Sequence, residues 1–240
     1  MIARLCLTAH TADDAVPGKD RPMTTQTLAP ARPQAMDHAR DVGGALDRRV
    51  AGLLLFLLAA QFMTVIMLGA SIAPDYEYGG AAISDLGAIR ETAPLFNSSL
   101  IAVGALNLAA GWLLYRAHHR ARLLALFTIA GVGAAGAGLV PIGTSGFHSV
   151  FALLAFVGFN LEAIAVGGRV RGPMRTISWL AGALGLVFVV LMVIGDGGNT
   201  AAFGPIGHGG TERMIVYPAM LWMLAFGGYL MAGAHGEPAD

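Results

Sequence analysis

The sequence has little charge and almost no cysteine. Of its 240 residues only 12% are charged, and Cys6 is the single cysteine. One cysteine close to the start of the chain excludes a disulfide framework, a zinc ribbon and a cysteine nucleophile in the rest of it. The 15 basic residues balance the 15 acidic ones, so the basic excess typical of nucleic-acid binding is missing. We expect no nucleic-acid partner.

Apolar residues make up most of the chain. Hydrophobic residues account for 55% of it, and the mean hydropathy is +0.64. Thirteen of the 30 charged residues lie in the first 49 positions, which leaves the remainder with too little polar surface to face water. The composition therefore indicates an integral membrane protein whose partners are membrane lipids.

Six apolar runs are long enough for the ~20 residues that a helix needs to cross a bilayer. They lie at about residues 50–73, 95–115, 122–140, 148–167, 176–194 and 213–233. The predicted fold is an all-α polytopic membrane protein with six transmembrane helices, in a domain of residues 46–234. Residues 1–45 are rich in proline and lack an apolar period, which predicts a disordered leader with alternative starts at Met23 or Met36. Residues 235–240 form a short tail.

The arginine distribution predicts the orientation, because cytoplasmic loops carry the excess of basic residues. One side of the predicted membrane domain has nine arginines and the other has two. We therefore expect both termini to lie in the cytoplasm. We also expect the protein to lie in the inner (plasma) membrane. The nine are Arg40, Arg48, Arg49, Arg116, Arg120, Arg122, Arg169, Arg171 and Arg175, and the two are Arg90 and Arg213.

Glycines in the third run spell a nucleotide-binding pattern without its context. Gly131, Gly133 and Gly136 match G-x-G-x-x-G, but a dinucleotide site needs a preceding strand and a helix N-terminus directed at the phosphates. Small residues in membrane helices more often allow close helix packing. We interpret these glycines, and others such as Gly104 and Gly182, as packing positions.

Glu162 is the one acidic residue well inside a predicted span. A carboxylate at mid-bilayer costs roughly 2.5 to 3.5 kcal/mol and is a functional candidate by default. Five residues separate it from Gly167, so it could instead reach the interface or pair with Arg169.

Polar residues also gather in the loops predicted to lie outside. In ISDLG, Ser84 could cap a short interfacial helix, with Asp85 in its first turn. Tyr76 and Tyr78 are typical of interfacial anchors. These local roles explain the residues without any function.

A metal site is the functional alternative for the same loops. Asp85, His148 and His208 could supply three ligands, with Asp196 or Glu212 as a fourth ligand or a general base. No H-E-x-x-H or H-x-x-x-H spacing places two ligands on one helix face, so whether a metal binds stays open. The sequence identifies no cofactor.

Arg213 needs a specific reason to lie at the start of the sixth run, because the positive end of a helix dipole disfavours a cation. An ion pair with Asp85 or Asp196 would supply that reason. Alternatively, its guanidinium could hold an anionic substrate group such as a lipid phosphate. Tyr217 follows one turn later, and Pro218 is expected to kink the helix.

Several blocks of the sequence resemble the domain-of-unknown-function 998 family of bacterial and archaeal membrane proteins. The resemblance covers about residues 50–233, and its most specific element is G-x-x-E-R-x-x-x-Y-P, formed by Gly209, Glu212, Arg213, Tyr217 and Pro218. Other blocks are ISDLG (83–87), PLFNSSLIAVGAL (94–106) and HSVFALLAFVGFNLEAIAVGG (148–168). The resemblance implies a six-helix membrane fold and a set of candidate positions, without a reaction.

Three functions remain open from the sequence. The first is a membrane-embedded enzyme with a lipid-like substrate, in which His148 or His208 acts as general base. Asp85 and Glu212 are the other candidate catalytic residues, and Arg213, Tyr217, Ser84 and Asp196 are the candidate substrate-binding residues. The second is a non-catalytic scaffold that binds or transports a lipid or small ligand, and the third is a purely structural role. Close convergence of these residues around a cavity would favour the enzyme, and local pairing would favour the scaffold.

Overall fold

The protein, characterised here as a computed structural model, is described for residues 34–233, with side chains from residue 42 onward. Six long helices and two short 3₁₀ helices make up this part of the chain, which contains no strand. The long helices are α1 (Gln34–Ile72), α2 (Ala93–His118), α3 (Ala121–Leu139), α4 (Phe147–Gly167), α5 (Pro173–Asp196) and α6 (Gly207–Met231). The 3₁₀ helices are Ile83–Gly87 and Thr200–Ile206.

All six long helices are long and apolar enough to span a membrane, which confirms the predicted fold class. Two boundaries differ from the prediction. Helix α1 begins at Gln34 rather than near residue 50, so residues 34–45 are helical instead of disordered. Helix α6 begins at Gly207 rather than near 213. The rest of the predicted leader, with Met23, and the tail 235–240 lie outside the described residues.

The helices form a closed ring in chain order. Each packs against its neighbours in sequence, and α6 packs back against α1. Small residues permit the close approaches: a side chain at Gly104 would meet the backbone of Gly131, and one at Gly133 would meet the backbone of Ala155. The G-x-G-x-x-G glycines are therefore packing positions, as predicted.

Large apolar side chains cover the outside of the ring. On α5, for example, Leu180, Val187 and Val190 are more than half exposed, as expected where lipid is the solvent. The ring has two ends. The α1–α2, α3–α4 and α5–α6 connections lie at the one we call the loop end, and the α2–α3 and α4–α5 connections at the other, the arginine-rich end.

Candidate functional site

Residues 76–87 close the loop end of the ring, and we call them the closing loop. Its 3₁₀ helix places Ile83 and Leu86 in the core, where they are 2% and 0% exposed. On the α2 side, the hydroxyl of Thr92 donates to the carbonyl of Leu86 at 2.7 Å. The amide of Asn97 donates to the carbonyl of Gly87 at 3.0 Å. ISDLG is thus an inserted turn with a buried apolar face.

Glu212 holds the closing loop from the α6 side. Its carboxylate accepts a short hydrogen bond from the backbone N–H of Ile83 and also interacts with that of Ser84. The Glu212 side chain is buried, and a backbone donor left without an acceptor away from water is costly. Glu212 therefore satisfies the backbone donors of a turn that has no partner strand or helix.

Arg213 contacts earlier residues of the same loop. Its guanidinium donates to the carbonyl of Ala81 at 3.1 Å and to the hydroxyl of Tyr76 at 2.6 Å. It also lies 3.8 Å from the centroid of the Tyr78 ring, which is a cation–π contact. Arg213 is only 5% exposed, and its Nε has no hydrogen-bond partner among the described residues.

The prediction of an ion pair between Arg213 and Asp85 or Asp196 is wrong. Within residues 42–233 no salt bridge joins Arg213 to either carboxylate. Tyr76 and Tyr78, expected to anchor the chain at the interface, supply the electron-rich partners instead. The negative faces of aromatic rings attract a cation without adding a buried charge.

The surroundings of these two tyrosines also change their acidity. Burial raises the pKa of Tyr76 to about 12, against the opposing effect of the Arg213 charge. The pKa of Tyr78 is lowered, first by the 2.9 Å hydrogen bond between its hydroxyl and that of Tyr217 and then by Arg213. Tyr76 is therefore a protonated partner of Arg213 at neutral pH.

Glycines at the start of α6 allow the loop to lie directly on the helix. The N–H groups of Gly209 and Gly210 donate to the carbonyl of Gly79 at 3.1 and 3.3 Å. A Cβ at Gly209 would lie 2.0 Å from the carbonyl oxygen of Ala81, so no other residue fits there. With Glu212, Arg213 and Tyr217, Gly209 forms what we call the clamp.

Asp85 caps its own turn. Its carboxylate accepts from the N–H of Ala82 at 2.8 Å, and Ala82 is the N-cap of the 3₁₀ helix. The prediction that Ser84 caps this helix is wrong. The N-cap is Ala82, two residues earlier, and the Asp85 carboxylate at the third position of the helix accepts from the Ala82 N–H. Ser84 instead lines the cavity described below.

Asp196 and His208 pair with each other rather than with the other candidates. His208 Nε2 lies 3.1 Å from Asp196 Oδ1, and the imidazole packs edge-on against Phe203. Both side chains are more than a third exposed, and neither lines the cavity. Among the described residues no three His, Cys, Asp or Glu side chains are placed to hold a metal ion. The structure therefore does not assemble the hypothesised set of Asp85, His148 and His208.

A cavity of about 50 Å³ lies beneath the closing loop, at the centre of the ring. Apolar side chains from α1, α2, α3, α4 and α6 form most of its wall. Its polar residues are Ser84, His148, Asn160 and Glu212. Of the predicted site residues it thus brings together three, on three different elements, while Asp85, Asp196, His208, Arg213 and Tyr217 lie outside it.

His148 has a defined hydrogen-bonding role in this cavity. Its Nδ1 lies 2.8 Å from the carbonyl oxygen of Val140, and a carbonyl only accepts, so Nδ1 carries the proton. In the neutral ring Nε2 is then an acceptor, and this buried atom has no partner among the described residues. The cavity thus combines apolar walls with an unused acceptor on His148, and the amide oxygen of Asn160, another lining residue, also lacks a partner among the described residues.

A second polar pair is buried nearer the arginine-rich end. Glu162 is fully buried and accepts from the amide of Asn107 at 2.8 Å. The predictions that Glu162 reaches the interface or pairs with Arg169 are both wrong. Arg169 donates to the carbonyl of Ala165 instead. Glu162 Oε2 and Asn107 Oδ1 are both left without partners in the described chain.

The sequence reasoning missed Asn107, Asn160 and the roles of the two tyrosines. Asn107 and Asn160 are amides in apolar spans, which is the signal that identified Glu162. Asn160 donates from α4 to the carbonyl of Ile215 on α6, so it connects helices. The tyrosines precede ISDLG in the chain and had no local signal that linked them to α6.

The comparison with protein families agrees with this architecture. The model of the family described as "Protein of unknown function (DUF998)" matches residues 49–229. The match includes all six spans, the closing loop and the clamp. Neither the curated proteins nor the solved structures contain a match to the chain. The chain therefore belongs to the DUF998 family and is an integral membrane protein with six spans.

Proposed function

We propose that this protein is a non-catalytic membrane receptor or carrier that binds an amphipathic ligand in the cavity beneath the closing loop. The observation that supports this most concerns the polar motif at the start of α6, because Glu212 and Arg213 are occupied by the backbone and tyrosines of the closing loop. His208 is occupied by Asp196. Side chains that are paired locally favour a scaffold over an assembled catalytic centre.

The chemistry of the cavity defines the ligand class. Its apolar wall suits a hydrocarbon group, and His148 Nε2 offers one acceptor to a hydroxyl or amine donor. At about 50 Å³ it is smaller than the ~150 Å³ cavity that admits benzene. The closed form therefore admits only part of a lipid, and a larger ligand requires the closing loop to lift. In this proposal the clamp sets the cost of opening.

We place the protein in the inner membrane with the closing loop outside. The arginine asymmetry supports this orientation, because nine of the eleven arginines counted fall at the other end. The ligand would then enter from the outer leaflet or the space beyond it.

Photo-crosslinking with a diazirine-bearing fatty alcohol tests the proposal. Ala152 lines the cavity on α4, so Ala152→Leu should reduce crosslinking to α4 and α6 peptides. The matched control is Ala183→Leu, which adds the same side chain to an exposed position on α5. His148→Leu should weaken the preference for the alcohol over a plain alkane probe, since it removes an acceptor from the cavity wall.

Two results would refute the proposal. One is equal crosslinking in Ala152→Leu and Ala183→Leu, which would mean that the probe binds the lipid-facing surface. The other is an unchanged preference for the alcohol in folded His148→Leu protein. Identification of copurified lipids by mass spectrometry from a mild-detergent preparation would then name the natural ligand.

A further inference from the structure

The arginine-rich end contains a second, larger pocket that the proposed function does not use. Its volume is about 600 Å³, within the range of ligand-binding pockets. It is bounded by α1, α2, α3, α4 and α6 and by the two connections at this end. It therefore lies on the axis of the ring, at the opposite end from the closing loop.

Four arginines line this pocket: Arg48, Arg49, Arg120 and Arg169. They come from α1, from the residue before α3 and from the α4–α5 connection, so the fold brings together charges that are far apart in the chain. No aspartate or glutamate is among the lining residues. Charges of one sign around one pocket repel each other, and an anion bound between them reduces that repulsion.

Two other arginines at the same end have protein partners. Arg116 lies 3.3 Å from a carboxylate oxygen of Asp47. Arg175 lies 4.4 Å from the centre of the Trp179 ring. By contrast, no salt bridge within residues 42–233 involves any of the four that line the pocket. Of the four, Arg169 donates to the carbonyl of Ala165, and no carboxylate of the described residues forms an ion pair with any of them.

The inner wall of the pocket is apolar. Leu114, Leu123, Val166 and Phe226 line it and are at most 7% exposed. Such a surface binds hydrocarbon, whereas guanidinium groups bind phosphate oxygens in a bidentate manner. The two surfaces together match a molecule with a phosphate group at one end and an apolar portion at the other.

We propose that this pocket binds the phosphate head group of an anionic lipid, with part of the lipid chain against the apolar wall. Four cationic groups exceed what one singly charged phosphodiester would compensate, so a head group with at least two negative phosphate charges fits best. A free diphosphate has the same phosphate chemistry, but it has no apolar portion that could contact the apolar wall.

Native mass spectrometry of the full chain in mild detergent tests the site, with phosphatidic acid as the probe and phosphatidylcholine as the reference lipid. The doubly substituted Arg49→Gln/Arg120→Gln protein should bind phosphatidic acid about tenfold more weakly or worse, since each lost charge-assisted contact contributes substantially to affinity. The control is Arg122→Gln/Arg175→Gln, which removes the same charge at this end from positions outside the pocket. It should bind nearly as the unchanged protein does, as should both variants with phosphatidylcholine.

Inorganic diphosphate distinguishes the two sources of phosphate. Failure of millimolar diphosphate to displace phosphatidic acid supports the lipid. Displacement at equal concentrations would overturn the lipid assignment, because the apolar wall would then add nothing. Equal losses in the two arginine variants would overturn the site itself, since the effect would be one of net charge.

The residues after Gly233 are an alternative occupant of the pocket, which truncation tests. Gly233 lines the pocket, and the residues that follow it include Glu237 and Asp240. Phosphatidic acid binding that appears only after truncation at Gly233 would overturn the proposal, because the chain's own carboxylates would be the occupant. Binding by the full chain supports it.

Discussion

Removing the Glu212 side chain should open the closing loop far more often. Glu212→Ala leaves the buried N–H of Ile83 without its acceptor and loses the contact with Ser84. A buried backbone donor left without an acceptor costs about 1 to 3 kcal/mol. Opening should therefore become easier by about that amount, or roughly 5- to 150-fold in population.

A cysteine at Ala82 reports the opening. Ala82 is only 3% exposed in the closed loop, so maleimide labelling of Ala82→Cys requires the loop to lift, and the rate follows the open population. Glu212→Ala should accelerate labelling by the factor above, and Glu212→Gln, which keeps one acceptor oxygen, by less. The control is Glu77→Ala, because Glu77 is an exposed carboxylate of the same loop and accepts from the nearby N–H of Gly80. Equal acceleration by Glu77→Ala and Glu212→Ala would refute the clamp.

Three further predictions concern other parts of the molecule. In a background without the native cysteine, an impermeant maleimide should label Ala88→Cys but not His119→Cys in intact cells, since both positions are exposed at opposite ends of the ring; reversed labelling would invert the orientation. Because the pKa of Tyr76 is raised to about 12 from 10.0, its contribution to stability is complete below pH 10 and is lost as the pH rises toward 12. The unfolding temperature should thus fall more steeply between pH 10 and 12 in the unchanged protein than in Tyr76→Phe. Glu162→Gln should leave thermal stability in detergent nearly unchanged, because a glutamine keeps the acceptor for Asn107 and adds a donor, whereas Glu162→Ala should cost about 2 to 4 kcal/mol through an unpaired amide and a cavity.

The fold was predictable because the bilayer imposes it. A lipid environment requires internally satisfied backbone and long apolar segments, so hydropathy located all six helices. It did not locate their polar ends: α1 continues back to Gln34, and the turn Thr200–Ile206 precedes α6. Hydropathy reports where a helix enters lipid, and a helix that extends beyond the lipid has no such signal.

The candidate site was predictable in its residues but not in its contacts. Glu212 and Arg213 were selected because charges at the end of a membrane helix need a reason. Their partners Ile83 and Tyr76 lie 129 and 137 positions earlier in the chain. No local sequence pattern indicates that α6 packs against α1. Contacts that depend on closure of the ring are therefore the ones that sequence patterns leave open.

Arg213 illustrates how a correct physical requirement led to the wrong partner. A cation in the first turns of α6 requires negative potential nearby, and carboxylates were the obvious sources. The protein uses the carbonyl of Ala81, the hydroxyl of Tyr76 and the face of the Tyr78 ring instead. A carboxylate partner would itself have to be desolvated beside Arg213, at a cost of several kcal/mol. A carbonyl, a hydroxyl and an aromatic face supply negative potential without that cost, so the requirement for negative potential did not by itself identify a carboxylate as the partner.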